Sequence, residues 1–124
     1  MPGHKRSILV VDDEYPQRLL LASVLEGRYD VATATCASEA KRELQCRTFD
    51  LIITDQLMPA STGLELLRWT RGHFPLTPII VLTGASSIEI AGEAVTLGAC
   101  EYLSKPLKDP EQLRLAVARS LGEL

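Results

Sequence analysis

The sequence has 124 residues, of which 46% are hydrophobic and 23% charged, with a net charge of -3. One ordinary domain of that length and composition buries its own core and folds alone. A weakly acidic, mixed surface argues against nucleic-acid binding by this segment, because phosphate contacts need a basic face.

Five short apolar runs alternate with helical patterns. Ser7-Ile8-Leu9-Val10-Val11 is continuous and β-branched, as expected for a strand buried on both faces. Tyr15 to Glu26 carries Leu20, Leu21, Val24 and Leu25 at helical spacing, and Gly27 closes it. A weaker strand follows from Tyr29 to Ala34. The second helix runs from Ala37 to Cys46 with Ala40 and Leu44 on one face. Phe49 to Thr54 is the third strand and delivers Asp55 at its carboxyl end. A loop, Gln56 to Thr62, precedes a third helix from Gly63 to Gly72. Pro78 to Leu82 is the fourth strand and ends at Thr83. The fourth helix spans Ser86 to Leu97, and Glu101-Tyr102-Leu103 is a short fifth strand. Asp109-Pro110-Glu111-Gln112 opens the last helix, with an N-cap, a first-turn proline and a capping glutamine. Buried strands joined by helices make an α/β fold, a doubly wound, five-stranded parallel sheet with five helices on both faces.

No apolar run approaches the roughly 20 residues of a membrane span, and the amino terminus lacks the apolar stretch of a signal peptide. Cys36, Cys46 and Cys100 have no metal-type spacing and read as plain thiols in a reducing cytoplasm. His4 and His73 read as solvated loop residues, and the basic cluster His4-Lys5-Arg6 as a solvated end. Trp69 falls out of phase with Leu64 and Leu67, on a helix flank that its own fold partly covers. On the fourth helix, Ile88, Ala91, Ala94 and Val95 form the expected inward stripe. Ile90 and Leu97 then share another face near Tyr102 and make a candidate partner surface.

Ligand chemistry in such sheets sits at the carboxyl ends of the strands. Strand one ends in Asp12 and Asp13, strand three in Asp55, and strand four in Thr83. Strand five leads through Ser104 to Lys105 and Pro106. Carboxylates packed this closely ask for a cation, and hard oxygen ligands without histidine or thiolate suit magnesium. A lysine pairs with a phosphate oxygen, a threonine donates a hydroxyl proton, and an aspartate beside a metal is a nucleophile toward an activated phosphoryl group. The chemistry these residues support is phosphoryl transfer to a carboxylate.

Four blocks carry a more specific likeness: Ile8 to Glu14, Asp55-Gln56-Leu57-Met58-Pro59 with Gly63, Val81-Leu82-Thr83-Gly84, and Gly98 to Pro106. In order and spacing they resemble the receiver domain of two-component response regulators, over essentially the whole chain. The resemblance implies the flavodoxin-like strand order 2-1-3-4-5 and a phosphorelay role in signal transduction, in the cytoplasm, without conventional enzyme activity. It makes Asp55 the phosphoacceptor, Asp13 a direct magnesium ligand, Asp12 its water-mediated partner and the Leu57 backbone carbonyl a third protein ligand. Manganese is able to substitute for magnesium. Lys105 matches the lysine that pairs with the phosphoryl group, with a cis bond to Pro106. Thr83 matches the switch hydroxyl and Tyr102 the aromatic that follows it; Gly84 keeps the site uncrowded.

The implied partners are a sensor histidine kinase or phosphotransfer protein, an output domain or downstream protein, and in some cases a second copy of the chain. Neither nucleic acid nor membrane is expected to bind. The resemblance extends to residues 1–124 as one receiver, whether free-standing or excised from a longer regulator or hybrid kinase. Gln56 departs from the pattern, since an apolar residue is common there, and it is expected to touch the chemistry little. Leu57 and Ala85 occupy positions that tune acyl-phosphate lifetime; neither side chain orients a water, so self-dephosphorylation should be slow.

The rival reading is a degenerate receiver that works as a phosphorylation-independent interaction module; the complete set of Asp12, Asp13, Asp55, Thr83 and Lys105 argues against it. A haloacid dehalogenase-type phosphatase wants a second aspartate where this chain has Leu57. A flavodoxin-like cofactor binder needs a glycine or hydroxyl phosphate cradle after strand one, where this chain has Asp-Asp-Glu.

Overall fold

Residues with no polar face to give to water become strands covered on both sides, and three of the apolar runs do so completely. The computed structural model describes residues 5–84 and 88–123. The elements are β1 (Ser7–Val11), α1 (Tyr15–Leu25), β2 (Asp30–Ala34), α2 (Ala37–Cys46), β3 (Leu51–Asp55), β4 (Leu57–Met58), β5 (Ser61–Thr62), α3 (Gly63–His73), β6 (Ile79–Thr83), α4 (Ile88–Thr96), β7 (Glu101–Ser104) and α5 (Pro110–Ser120). His4, Ala85 and the expected helix start at Ser86 lie outside the described residues.

Five strands form one parallel sheet in the order β2-β1-β3-β6-β7. Counted along the sheet's own strands that is 2-1-3-4-5, so the expected flavodoxin-like topology is the one observed. Successive strand residues point to opposite faces, and the core divides accordingly. Ile8, Val10, Leu51, Ile53, Ile80 and Leu82 meet Leu21 and Leu25 of α1 and Leu113 and Val117 of α5. Leu9, Val11, Ile52, Ile79 and Val81 meet Ala40 and Leu44 of α2, Leu64, Leu66 and Leu67 of α3, and Ala94 of α4. Every residue of β3 and β6 is buried. The strand ends, where the polar residues sit, are therefore held from both sides.

Local signals set most boundaries. Asp109 accepts from the Glu111 N–H at 3.0 Å with Pro110 in the first turn, so α5 starts where its cap demands. The Gln112 N–H goes instead to the Asp109 carbonyl at 3.0 Å. The stretch 56–62, expected as plain loop, holds a short antiparallel ribbon pairing Leu57 with Thr62 and Met58 with Ser61. Its turn is Pro59-Ala60, and Ala60 sits at φ 65, the left-handed region that a side chain resists.

One expectation is corrected. Ile88 is 92% exposed and Val95 69%, so neither belongs to an inward stripe. Ala94 is the buried residue of α4, and Ile90 and Leu97 pack partly buried against the α2–α3–α4 side of the core. The helix carries apolar residues in two interleaved stripes, 88-91-95 and 90-94-97, each with helical spacing. Periodicity cannot choose between them; packing against β6, β7 and α3 does. Ile90 and Leu97 are thus core-bordering residues, and the exposed apolar pair of α4 is Ile88 and Val95.

Trp69 is half-buried on the flank of α3, stacked on His73 at 4.2 Å with the Lys41 ammonium 5.5 Å over its ring. His73 is exposed, as expected, but lies in the last turn of α3, with Nδ1 placed 2.9 Å from the Trp69 carbonyl. Cys36 is half-buried and Cys46 and Cys100 exposed; all three are free thiols.

Replacing Ala60 by glycine removes the left-handed strain and gives back some unfolded-state entropy, for a net gain of about 0.5–1 kcal/mol. Urea unfolding of the Ala60→Gly protein should shift to a higher midpoint with an unchanged slope; a lower midpoint would show that the turn carries no strain.

Candidate functional site

The parallel register brings the acids together. Asp12 directly follows β1, its N–H bonded to the Ala34 carbonyl of β2 at 3.1 Å, and it is fully buried. Its Oδ1 accepts from the Glu14 N–H at 3.0 Å and its carbonyl from Arg18 Nη1 at 2.8 Å. Asp13, one residue on, is exposed. Asp55 is the last residue of β3, 5% exposed. One carboxylate oxygen from each of the three lies within 4.8 Å of the others.

Lys105 enters from β7. Its N–H donates to the Thr83 carbonyl at 2.8 Å, which aims the side chain across the sheet edge. Nζ reaches Asp12 Oδ2 at 3.1 Å and Asp55 Oδ1 at 3.2 Å, with the side chain only 13% exposed. The Lys105-Pro106 bond is cis. Thr83 ends β6, fully buried and opposite Ser104 in the register. Tyr102 stands opposite Val81, packs against the α2–α3–α4 side of the core, and keeps a buried hydroxyl that has no hydrogen-bond partner among the described residues. A Cβ at Gly84 would meet Lys105 Cβ at 3.9 Å, an ordinary contact, so the backbone there leaves room.

Charge dominates this edge. Two like charges about 4 Å apart repel by about 4 kcal/mol at an effective dielectric near 20. One ammonium among three carboxylates leaves the edge negative. Burial pushes the Asp55 carboxyl above the ordinary aspartate value, and the neighbouring Lys105 charge offsets this only in part. Burial works to lower the Lys105 ammonium, but its bond to Asp12 and the charges of Asp12 and Asp55 outweigh that and leave it raised. The donor set is oxygen-only and clustered, which fits a hard divalent cation such as magnesium.

Two residues at this edge have roles that sequence reasoning passed over. Gln56, expected to touch the chemistry little, is 5% exposed, and its Oε1 accepts from the Leu64 N–H at 2.9 Å. Gly63 lets α3 begin against the end of β3: a Cβ there would stand 2.6 Å from the Asp55 carbonyl. The available signal was a polar residue beside an apolar strand, followed by a glycine opening a helix. Leu57, whose backbone carbonyl was expected at the metal, lies next along the chain, and its side chain is 58% exposed.

A family model described as the response regulator receiver domain matches residues 8–118. The chain is 35% identical over 123 residues to the transcriptional regulatory protein ZraR of Klebsiella oxytoca, which covers 98% of this chain and 28% of ZraR. It is 39% identical over 115 residues to the alginate biosynthesis transcriptional regulatory protein AlgB of Pseudomonas putida, covering 92% and 25%. The chain therefore spans about a quarter of the length of these curated relatives. Among solved structures, the chemotaxis protein CheY4 of Vibrio cholerae matches with a TM-score of 0.89 at 35% identity, over 95% of this chain and 100% of that one. A CheY-like receiver domain protein from Methanospirillum hungatei matches with a TM-score of 0.90 at 30% identity, over 97% and 96%.

Because its folded-state pKa is raised, ionised Asp55 burdens the metal-free fold at neutral pH, and the burden lifts as pH falls through that value. Asp55→Asn should accordingly melt a few degrees above wild type at pH 7 without divalent metal, the gap closing toward pH 4. Adding magnesium should raise wild type more than the variant. Thermal unfolding at the two pH values checks this, and equal melting points at pH 7 would contradict it.

Proposed function

The chain belongs to the response regulator receiver family, and from that premise we propose that it is a phosphorylation-dependent switch whose phosphoacceptor is Asp55. The observation that carries this reading is the convergence of Asp12, Asp13 and Asp55 within 4.8 Å, with Lys105 Nζ bonded to both Asp12 and Asp55.

A carboxylate oxygen of Asp55 attacks the phosphorus of a phosphohistidine on a sensor kinase or phosphotransfer protein, or of a small acyl phosphate. The bond to the imidazole nitrogen or acyl oxygen breaks, and the leaving group departs with its electron pair. Asp12, Asp13, Asp55 and the Leu57 carbonyl would hold magnesium, which supplies neutralisation of the charge gathering on the phosphoryl oxygens. Lys105, already at Asp55 Oδ1, turns to a phosphoryl oxygen once the carboxylate is phosphorylated. Thr83 donates its hydroxyl to another, and Tyr102 follows it. The buried hydroxyl of Tyr102, without a partner among the described residues, supports its part in the switch, because such a group gains from any rearrangement that offers a partner.

The surface of α4, β7 and α5 is thereby revalued for an output domain, a downstream protein or a second copy. The matched relatives are named as transcriptional regulators, which supports an output domain as the partner. No described helix is long and apolar enough to cross a membrane, and the proposed site of action is the cytoplasm. Without a side chain at Leu57 able to orient water, the acyl phosphate should be long-lived.

Intact-mass measurement after incubation with acetyl phosphate or phosphoramidate tests the reading. Wild type should gain one phosphate-sized adduct only with magnesium, Asp55→Asn none, and Lys105→Ala a markedly smaller fraction. The adduct should decay over many minutes without a phosphatase. No adduct on wild type would leave a phosphorylation-independent interaction module as the function.

A further inference from the structure

The segment between the end of β3 and the start of α3 carries the Leu57 carbonyl, and one residue closes it. The Gln56 N–H donates to the Leu82 carbonyl of β6 at 2.8 Å, which extends the sheet past Asp55. The Gln56 carbonyl accepts from the Gly63 N–H at 2.9 Å, and its side-chain Oε1 accepts from the Leu64 N–H at 2.9 Å. Gln56 thus satisfies the first two N–H groups of α3, while Thr62 Oγ1 takes the Glu65 N–H at 3.1 Å. The side chain doing this is 5% exposed, so no water replaces it cheaply. The fit is close, because α3 starts against the Asp55 carbonyl where only a glycine is accommodated.

We propose that Gln56 is a positioning residue for the metal end of the site: by clamping residues 56–63 onto the start of α3, it holds the Leu57 carbonyl at a fixed offset from Asp55. The inference rests on the reading of Asp55 and Leu57 given above. An apolar residue at this position keeps the β4–β5 pairing and the Gly63–Gln56 backbone bond but orphans the Leu64 N–H, so the segment loses its side-chain tie to α3. The carbonyl then samples more positions, and a ligand set with one member loosened binds its cation more weakly. The acids themselves are unaffected, since β1 and β3 hold them from both faces of the sheet.

Calorimetric titration of the whole chain with Mg2+ alone, beside amide exchange and thermal unfolding, tests this. Gln56→Met should weaken Mg2+ binding about tenfold and expose the Leu64 amide to exchange. Thr62→Val removes the other side-chain cap of the same helical turn; it should lower the melting point comparably and leave Mg2+ binding near wild type. Unchanged Mg2+ affinity in a folded Gln56→Met, equal weakening in Thr62→Val, or a wild type that binds no Mg2+ would each overturn the proposal. If Gln56→Met does not fold, Gln56→Glu keeps an acceptor at the same reach. Retained Leu64 protection and Mg2+ binding no weaker than wild type is then the expected result, and loss of either contradicts it. Wild type that binds Mg2+ yet takes no phosphate would sink the reading of Asp55, with the calorimetry still deciding the role of Gln56.

Discussion

Three carboxylates share one edge of the sheet with a single ammonium, and the organisation of the site follows from that imbalance. Asp12 and Asp55 are both buried and both reach the same Lys105 nitrogen, while Asp13 stays in solvent. Burial keeps the Asp55 carboxyl raised despite the lysine beside it. An edge that remains net negative attracts a cation.

Holding like charges together requires a stiff frame. The sheet supplies it because β1, β3 and β6 are covered by helices on both faces, so their ends cannot splay to relieve repulsion. Hydrogen bonds at the strand ends complete the frame: Asp12 to Ala34, Gln56 to Leu82, and Lys105 to Thr83 each continue the parallel ladder one residue past the end of a strand. α4 is held differently. Ala94 is its one buried residue among those described, and Ile88 and Val95 face solvent. A helix with so little apolar anchoring shifts at lower cost than its neighbours, which suits the proposed change of this surface with the state of Asp55.

The fold was legible in the sequence because its signals are local. Continuous β-branched runs mark doubly covered strands, Asp109 and Pro110 mark a helix start, and α2 occupies the span that its Ala40–Leu44 spacing implied. The acids and the lysine were legible because they terminate strands, and parallel topology sends all such termini to one edge. The phase of α4 was not: two apolar stripes of equal quality lie along it, and neighbouring β6, β7 and α3 select the one containing Ala94. Gln56 was also missed, because a lone glutamine carries no pattern until the helix it caps is folded against it.

By itself the sequence determined the order of the five sheet strands and five helices, the parallel sheet and the residues delivered to its carboxyl edge, since these depend on hydrophobic runs and chain order alone. Tertiary structure decided which aspartate is buried and which exposed, that Lys105 spans two of them, which face of α4 meets water, and that Gln56 closes the segment beside Asp55. Each of those outcomes depends on distances between groups far apart along the chain, and only packing fixes such distances.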